Sequence, residues 1–207
     1  MSKTSKRLLV IFIILVIAIV SIFITYKISF EPKIQVKSIN SEVELTPKKI
    51  MKKLIPNNID LNLSGIEFKS SSSFTDNEIT DLIIYSINNS NINTENLNGI
   101  RALIKDNQLL LYINFDYKGI PLQAISNFTV KANNNNAILH YNYTKVGFIT
   151  IPKSYIFNHI QNNSILSKDE VNNNIIISLT KDYGISIKNV SLNNRKLNIE
   201  LESKFNF

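Results

Sequence analysis

From Leu8 to Ile24 the chain is apolar at every position except Ser21, and tolerating Thr25 and Tyr26 carries the run to Ile28. An α-helix rises 1.5 Å per residue, so ~20 such residues cross a hydrocarbon layer of ~30 Å. Beyond this run the pattern breaks into short alternations. Ile34 with Val36 and Val43 with Leu45 read as short strands, and Thr46-Pro47 opens a short helix, proline being suited to the first helical position. Ile59, Leu61 and Leu63 alternate again, a kink is expected at Gly65 before Ile66 and Phe68, and Ser70 to Ser73 read as a flexible break. Thr75-Asp76-Asn77-Glu78 is a capping box, with Phe74 and Ile79 placed for a hydrophobic staple. Ile79, Leu82, Ile83 and Ile87 then share one face, which predicts a helix ending near Asn88.

A set of strands follows whose registers agree with one another. Leu109, Leu111, Ile113, Phe115 and Tyr117 form one apolar row, and a Lys118-Gly119 turn pairs Tyr117 with Ile120 and Phe115 with Leu122. A turn over Asn133 to Asn136 pairs Val130 with Leu139 and Phe128 with Tyr141. A turn over Lys105 to Gln108 pairs Ile104 with Leu109 and Ala102 with Leu111. A slip of one residue at any turn would send a whole row to solvent, so the agreement predicts a four-stranded antiparallel meander with one apolar face. Val146 to Ile151 reads as a strand running into Pro152, which opens a helix expected to bury Tyr155, Ile156 and Ile160. Strands resume at Ile175 to Leu179, Ile185 to Leu192, and Leu197 to Phe205. The fold class is α+β: an N-terminal transmembrane helix followed by a curved antiparallel β-meander packed on amphipathic helices.

Charge decides how the first helix is oriented. Lys3, Lys6 and Arg7 precede the apolar run, which favours a cytoplasmic N-terminus; Lys27, Lys33 and Lys37 beyond it weaken the bias without reversing it. A cleaved signal peptide is the competing reading. Its apolar region usually spans about 7 to 15 residues and ends in small residues, which this segment does not offer between Val20 and Ser29. The expected organisation is a cytoplasmic basic tail (1–7), a transmembrane signal anchor (8–28), a membrane-proximal strand-helix-strand section (29–73) and an extracytoplasmic α+β domain (74–207) in the cell envelope.

Composition narrows the chemistry. The 207 residues contain no cysteine and two histidines, which removes disulfide frameworks and thiolate sites and makes a histidine metal site improbable. Heavy use of Asn, Ile and Lys with no Trp fits a coding bias, which dilutes the meaning of any single Asn or Lys. The formal charge is +7, but the basic tail carries part of it, so the rest has no nucleic-acid footprint. No cofactor is expected, and no nucleophile elbow, zincin or P-loop pattern occurs.

Three sets of side chains remain as candidates. The inward row Leu111, Ile113, Phe115, Phe128 and Tyr141 would line an apolar lipid-binding groove if the sheet is left hollow. Lys48, Lys49, Lys52 and Lys53 occupy one arc of the short helix and Ile50, Met51, Leu54 and Ile55 the other, which fits a membrane-surface helix or, more simply, a solvated Lys face over a buried one. His140 and His159 read as surface histidines, and Asp76, Glu78 and Asp81 as first-turn carboxylates favoured by the helix dipole. An envelope hydrolase would need Asp116, His140 or Asp182 to converge in one polar cleft.

With the helix at Thr75, the meander and the segment Lys145-Val-Gly-Phe-Ile-Thr-Ile-Pro152-Lys-Ser-Tyr-Ile-Phe-Asn-His-Ile160 in view, the chain resembles the YpmS-like proteins of Gram-positive bacteria over roughly Phe74 to Leu179. The resemblance implies an N-terminal membrane helix and a helix followed by a β-meander, and it brings no catalytic residues. The expectation is a non-enzymatic, membrane-tethered extracytoplasmic domain that binds lipid or another envelope protein. The alternative is a structural or interaction module of a cell-wall, division or sporulation assembly.

Overall fold

The computed structural model describes residues 3–45, 47–54, 58–62, 65–90 and 93–206. Thr46, Ile55 and Leu63 lie outside them. The apolar run forms one helix, α1 (Lys3–Ser29), whose segment Ser5–Ser29 is long and apolar enough to cross a membrane. Its Leu, Ile, Val and Phe side chains are 41% to 70% exposed from Leu8 to Ile28, whereas Tyr26 near its C-terminal end is half-buried. The fold class is α+β, with α1 followed by antiparallel sheets.

The first sheet is built from β1 (Lys37–Ser38), β4 (Leu97–Lys105), β5 (Gln108–Tyr117), β6 (Ile120–Asn133), β7 (Asn136–Val146), β8 (Ile149–Ile151), β9 (Leu166–Asp169) and β10 (Asn174–Ile177), in the order β1-β4-β5-β6-β7-β10-β9 with β8 on β7. All six cross-strand pairs expected for the meander are present: Tyr117 with Ile120, Phe115 with Leu122, Val130 with Leu139, Phe128 with Tyr141, Ile104 with Leu109, and Ala102 with Leu111. The turns explain the accuracy. Asp106-Asn107, Lys118-Gly119 and Asn134-Asn135 all have positive φ at both central residues, the type I′ geometry that matches strand twist.

A second sheet was not expected. The strands β2 (Asn58–Asn62), β3 (Gly65–Thr75), β11 (Ile185–Asn193) and β12 (Lys196–Asn206) pair as β11-β12-β3-β2. Ser70 to Ser73, expected to be a flexible break, lie inside β3 opposite Leu201 to Asn198. Small serines fit there because the opposing residues are bulky: Ser70 faces Leu201 and Ser72 faces Ile199, and both serines are buried. The expected division at residues 73 and 74 therefore falls within a strand. The short strands expected at Ile34 to Val36 and Val43 to Leu45 do not form; the nearby strand β1 lies between them at Lys37–Ser38.

The helices fill the gaps. α3 (Asp76–Asn88) begins with the expected capping box: the Glu78 N–H donates to Thr75 Oγ1 and the Thr75 N–H to Glu78 Oε2. It also guards the sheet edge, since the Ala102 and Ile104 N–H groups donate to Thr80 Oγ1 and Asp76 Oδ1, both at 2.9 Å, satisfying donors an edge strand would leave open. α2 (Pro47–Leu54), α4 (Lys153–Asn158) and α5 (Thr180–Tyr183) are short. Ile79, Phe74, Phe128, Tyr141, Leu192 and Phe157 share one core cluster. In α4 the expected burial is corrected: Tyr155 is exposed and Phe157 is the anchor, at 1% exposure. The run from Val146 is likewise no continuous strand, because Gly147 at φ +59° turns the chain into a hairpin with Val146 opposite Ile149.

Candidate functional site

The carboxylate cluster at the start of α3 is consumed by structure. Asp81 is buried, accepts the Glu44 and Leu45 N–H groups at 2.8 and 3.1 Å, and pairs with Lys37 at 2.7 Å. Burial works to raise the Glu78 pKa, but the Lys53 ammonium at 2.6 Å and the Thr75 N–H outweigh it, so the carboxyl titrates below the usual range. His140 Nδ1 meets Asn174 Oδ1 at 2.9 Å, and His159 Nδ1 donates to the Tyr155 carbonyl at 2.7 Å. Asp116 lies opposite Pro121 and His140 opposite Thr129, eight residues apart on β6, which places them about 26 Å from each other. Asp116 and His140, two of the three residues a hydrolase cleft would draw on, are therefore not brought together. Among the described residues no group of three His, Asp or Glu side chains is placed to hold a metal ion.

The expected lipid groove is divided in two. Phe128 and Tyr141 are 6% and 4% exposed, and Tyr141 stands edge-on to both Phe128 and Phe157. Leu111 packs against the same cluster. That end is a filled core, because α4 and the second sheet, neither of which periodicity could place over the meander, cover it. Ile113 and Phe115, further along β5, are half-buried and stand outside this cluster. One polar atom in the filled end has no hydrogen-bond partner, the Tyr141 hydroxyl oxygen.

The Lys arc of α2 lies away from α1. Lys53 pairs with Glu78, donates to the Ser73 carbonyl at 2.8 Å and covers the Phe74 ring at 5.1 Å. The neighbouring Asp76 binds the Ile104 N–H, and Ile104 faces Leu109, eight residues along β5 from Tyr117. At ~3.3 Å per residue this puts Lys53 near the far end of the sheet, about 26 Å from the hairpin that meets α1. Lys48 and Lys52 are exposed, so the arc behaves as a solvated face over the packed Ile50 and Leu54.

The surface that does meet α1 was not singled out beforehand. The Tyr26 hydroxyl donates to the Pro121 carbonyl at 2.9 Å, and the Phe30 and Phe148 rings meet edge-on with centroids 5.0 Å apart. A Cβ on Gly147 would come within 2.6 Å of the Ser29 carbonyl oxygen, so only glycine permits the β7–β8 hairpin to sit against the end of α1. Beside it an apolar cleft of about 870 Å³ runs between α1 and the β5–β6 hairpin, lined by Ile19, Ile22 and Phe23 on one side and Tyr117, Ile120 and Leu122 on the other. From there the chain climbs the sheet: the Gln123 amide exchanges hydrogen bonds with Ile34, and Arg101 donates to the Gln35 carbonyl at 3.2 Å. A signal for this surface existed, in apolar Tyr117 and Ile120 flanking a turn where exposed polar residues are the rule. No protein-family model, curated protein or solved structure matches the chain.

Proposed function

We propose that this chain is a single-pass, membrane-tethered binding domain displayed outside the cytoplasm, without a reaction of its own, and that its ligand is lipid. The supporting observation is that α1 is uncovered along its apolar length yet docked at its C-terminal end through Tyr26 and Phe30. A segment made only to be cleaved has no need of side chains fitted to the folded domain. Lys3, Lys6 and Arg7 favour the orientation with the tail inside, and the resemblance to YpmS-like proteins agrees with it. The half-buried part of the expected groove, Ile113 and Phe115, leads toward Leu122 and hence to the cleft beside α1, where acyl chains are at hand.

Topology is tested by single cysteines in the cysteine-free full-length chain. Asn134→Cys should react with an impermeant maleimide on intact cells, and Ser5→Cys only after lysis; the reverse pattern removes the proposal. Native mass spectrometry of the full chain released from nanodiscs tests the ligand, retained lipid being expected and a bare protein counting against it. A structural or interaction module of an envelope assembly is the second reading, favoured by the filling of the sheet around Phe128, Tyr141 and Phe157. In-cell crosslinking from the far end of the sheet should then recover an envelope protein.

A further inference from the structure

Outside α1, the exposed large apolar side chains among the described residues are Tyr117, Ile120, Phe148, Ile149, Tyr155, Val171 and Tyr183. Four of these seven sit on two hairpin tips, Tyr117 and Ile120 on β5–β6 and Phe148 and Ile149 on β7–β8. Both tips touch the same end of α1. Single apolar residues on a surface need no explanation, but a cluster beside a membrane-length helix does.

We infer that the two hairpin tips enter the outer leaflet beside α1, so that the domain rests on lipid at three points and is held at one orientation. The inference rests on the tethered reading of α1. If Tyr26 marks the outer interface, Ile22 and Phe23 lie about 5 Å deeper at 1.5 Å per residue. The β5–β6 tip shares a cleft with those residues, which places Ile120 at the boundary of head groups and acyl chains. Phe148 sits against Phe30, one residue past the end of α1, and so marks a shallower level.

Three further features fit this occupant. Every backbone donor and acceptor entering lipid needs a partner, and a tight two-residue hairpin exposes the fewest of any loop. Lys27, Lys33, Lys118 and Lys145 surround the tips against the carboxylates Glu31, which Lys27 engages, Glu95 and Asp116, leaving a small positive surplus toward anionic head groups. Lys118 extends over the Tyr117 ring at 5.5 Å, its long stem able to lift the charge to the head-group level while Tyr117 stays below.

The test uses the full-length chain with one cysteine at a time, labelled with an environment-sensitive fluorophore, in vesicles of phosphatidylglycerol and phosphatidylcholine in equal parts. Ile17→Cys reports α1, Ile120→Cys and Phe148→Cys report the tips, and Asn134→Cys reports the far end. Lys118→Cys, exposed in the same turn, replaces Ile120→Cys should that variant fold poorly. Lipids carrying a shallow spin label should quench the tip labels, and aqueous iodide should quench them several-fold less than the Asn134 label. If Ile17 reports lipid while both tips report water as Asn134 does, the insertion is overturned and the tether stands. If Ile17 also reports water, the tether falls and the insertion with it.

Discussion

The two ends of the first sheet turn the chain in related ways but with different residues. At the far end, Asp106-Asn107 and Asn134-Asn135 close hairpins, joined there by Asn194-Arg195 of the second sheet, all with positive φ at both positions. At the end near α1, Lys118-Gly119 has the same geometry, yet Tyr117 and Ile120 flank it, and Gly147-Phe148 carries Ile149. Backbone twist asks the same of either end, so turn chemistry cannot account for the contrast. The surroundings can: Asn and Asp reach the left-handed region while keeping their side chains hydrated, whereas leaving aromatic and branched apolar residues in water is unfavourable. The same sheet thus presents a wet end and an oily end.

Truncation of the shared core should have the largest effect, because both ends hang from it. Phe157→Ala should lower stability by about 3–5 kcal/mol, measured by chemical denaturation of the full chain in detergent, with hydrogen exchange rising at both ends together. Exchange rising at one end alone would mean that the two ends rest on separate cores.

Replacing one turn residue at each end separates backbone strain from contact with α1. Gly147→Ala adds a Cβ at positive φ, and Asn134→Ala replaces a residue that tolerates that region with one that does not, each at roughly 1–2 kcal/mol or less. Only at Gly147 does the new methyl meet Ser29 and Phe30. Exchange protection should therefore fall around Tyr26 to Phe30 in Gly147→Ala and stay unchanged there in Asn134→Ala. Equal protection in the two variants would show that the anchor does not lean on this hairpin.

Tyr141→Phe deletes a buried hydroxyl without a partner and keeps the ring contacts with Phe128 and Phe157. Stability should rise by about 1 kcal/mol, since an unsatisfied buried polar group carries a desolvation cost of that order. A clear loss in thermal melting would indicate that the hydroxyl is bonded, by water for instance. The smallest effect belongs to Glu78 at the far end. Its folded pKa lies below the unfolded value, so its contribution is present above the unfolded value and lost as pH falls through the folded one. Glu78→Gln should flatten the acid limb of stability against pH; an unchanged limb would assign the acid sensitivity to other carboxylates.

Local rules were enough wherever period and turn act within a few residues. The capping box at Thr75 and the six meander pairs needed only alternation of period two and two-residue loops, because a register slip exposes a whole row. The Asn residues, easily dismissed as coding bias, supply five of the eight positive-φ positions outside glycine among the described residues. Reading failed where a neighbour distant in sequence decides. Ser70 to Ser73 have no strand pattern of their own and are extended because β12 pairs with them. Phe157 outranks Tyr155 because Tyr141 waits opposite it. The candidate groove was legible as an apolar row, but not that its Phe128 end would be filled.

By itself, the sequence determined a membrane-length apolar helix and the meander with its registers, since each is written in composition or in spacing shorter than a hairpin. Only the tertiary structure decided that two sheets share the core, that Asp81 is spent on Lys37 and two backbone amides, and that two oily hairpin tips lie beside the end of α1. Those depend on contacts between segments from dozens to more than a hundred residues apart, such as Lys37 with Asp81, Tyr26 with Pro121 and Phe30 with Phe148, for which no local pattern exists.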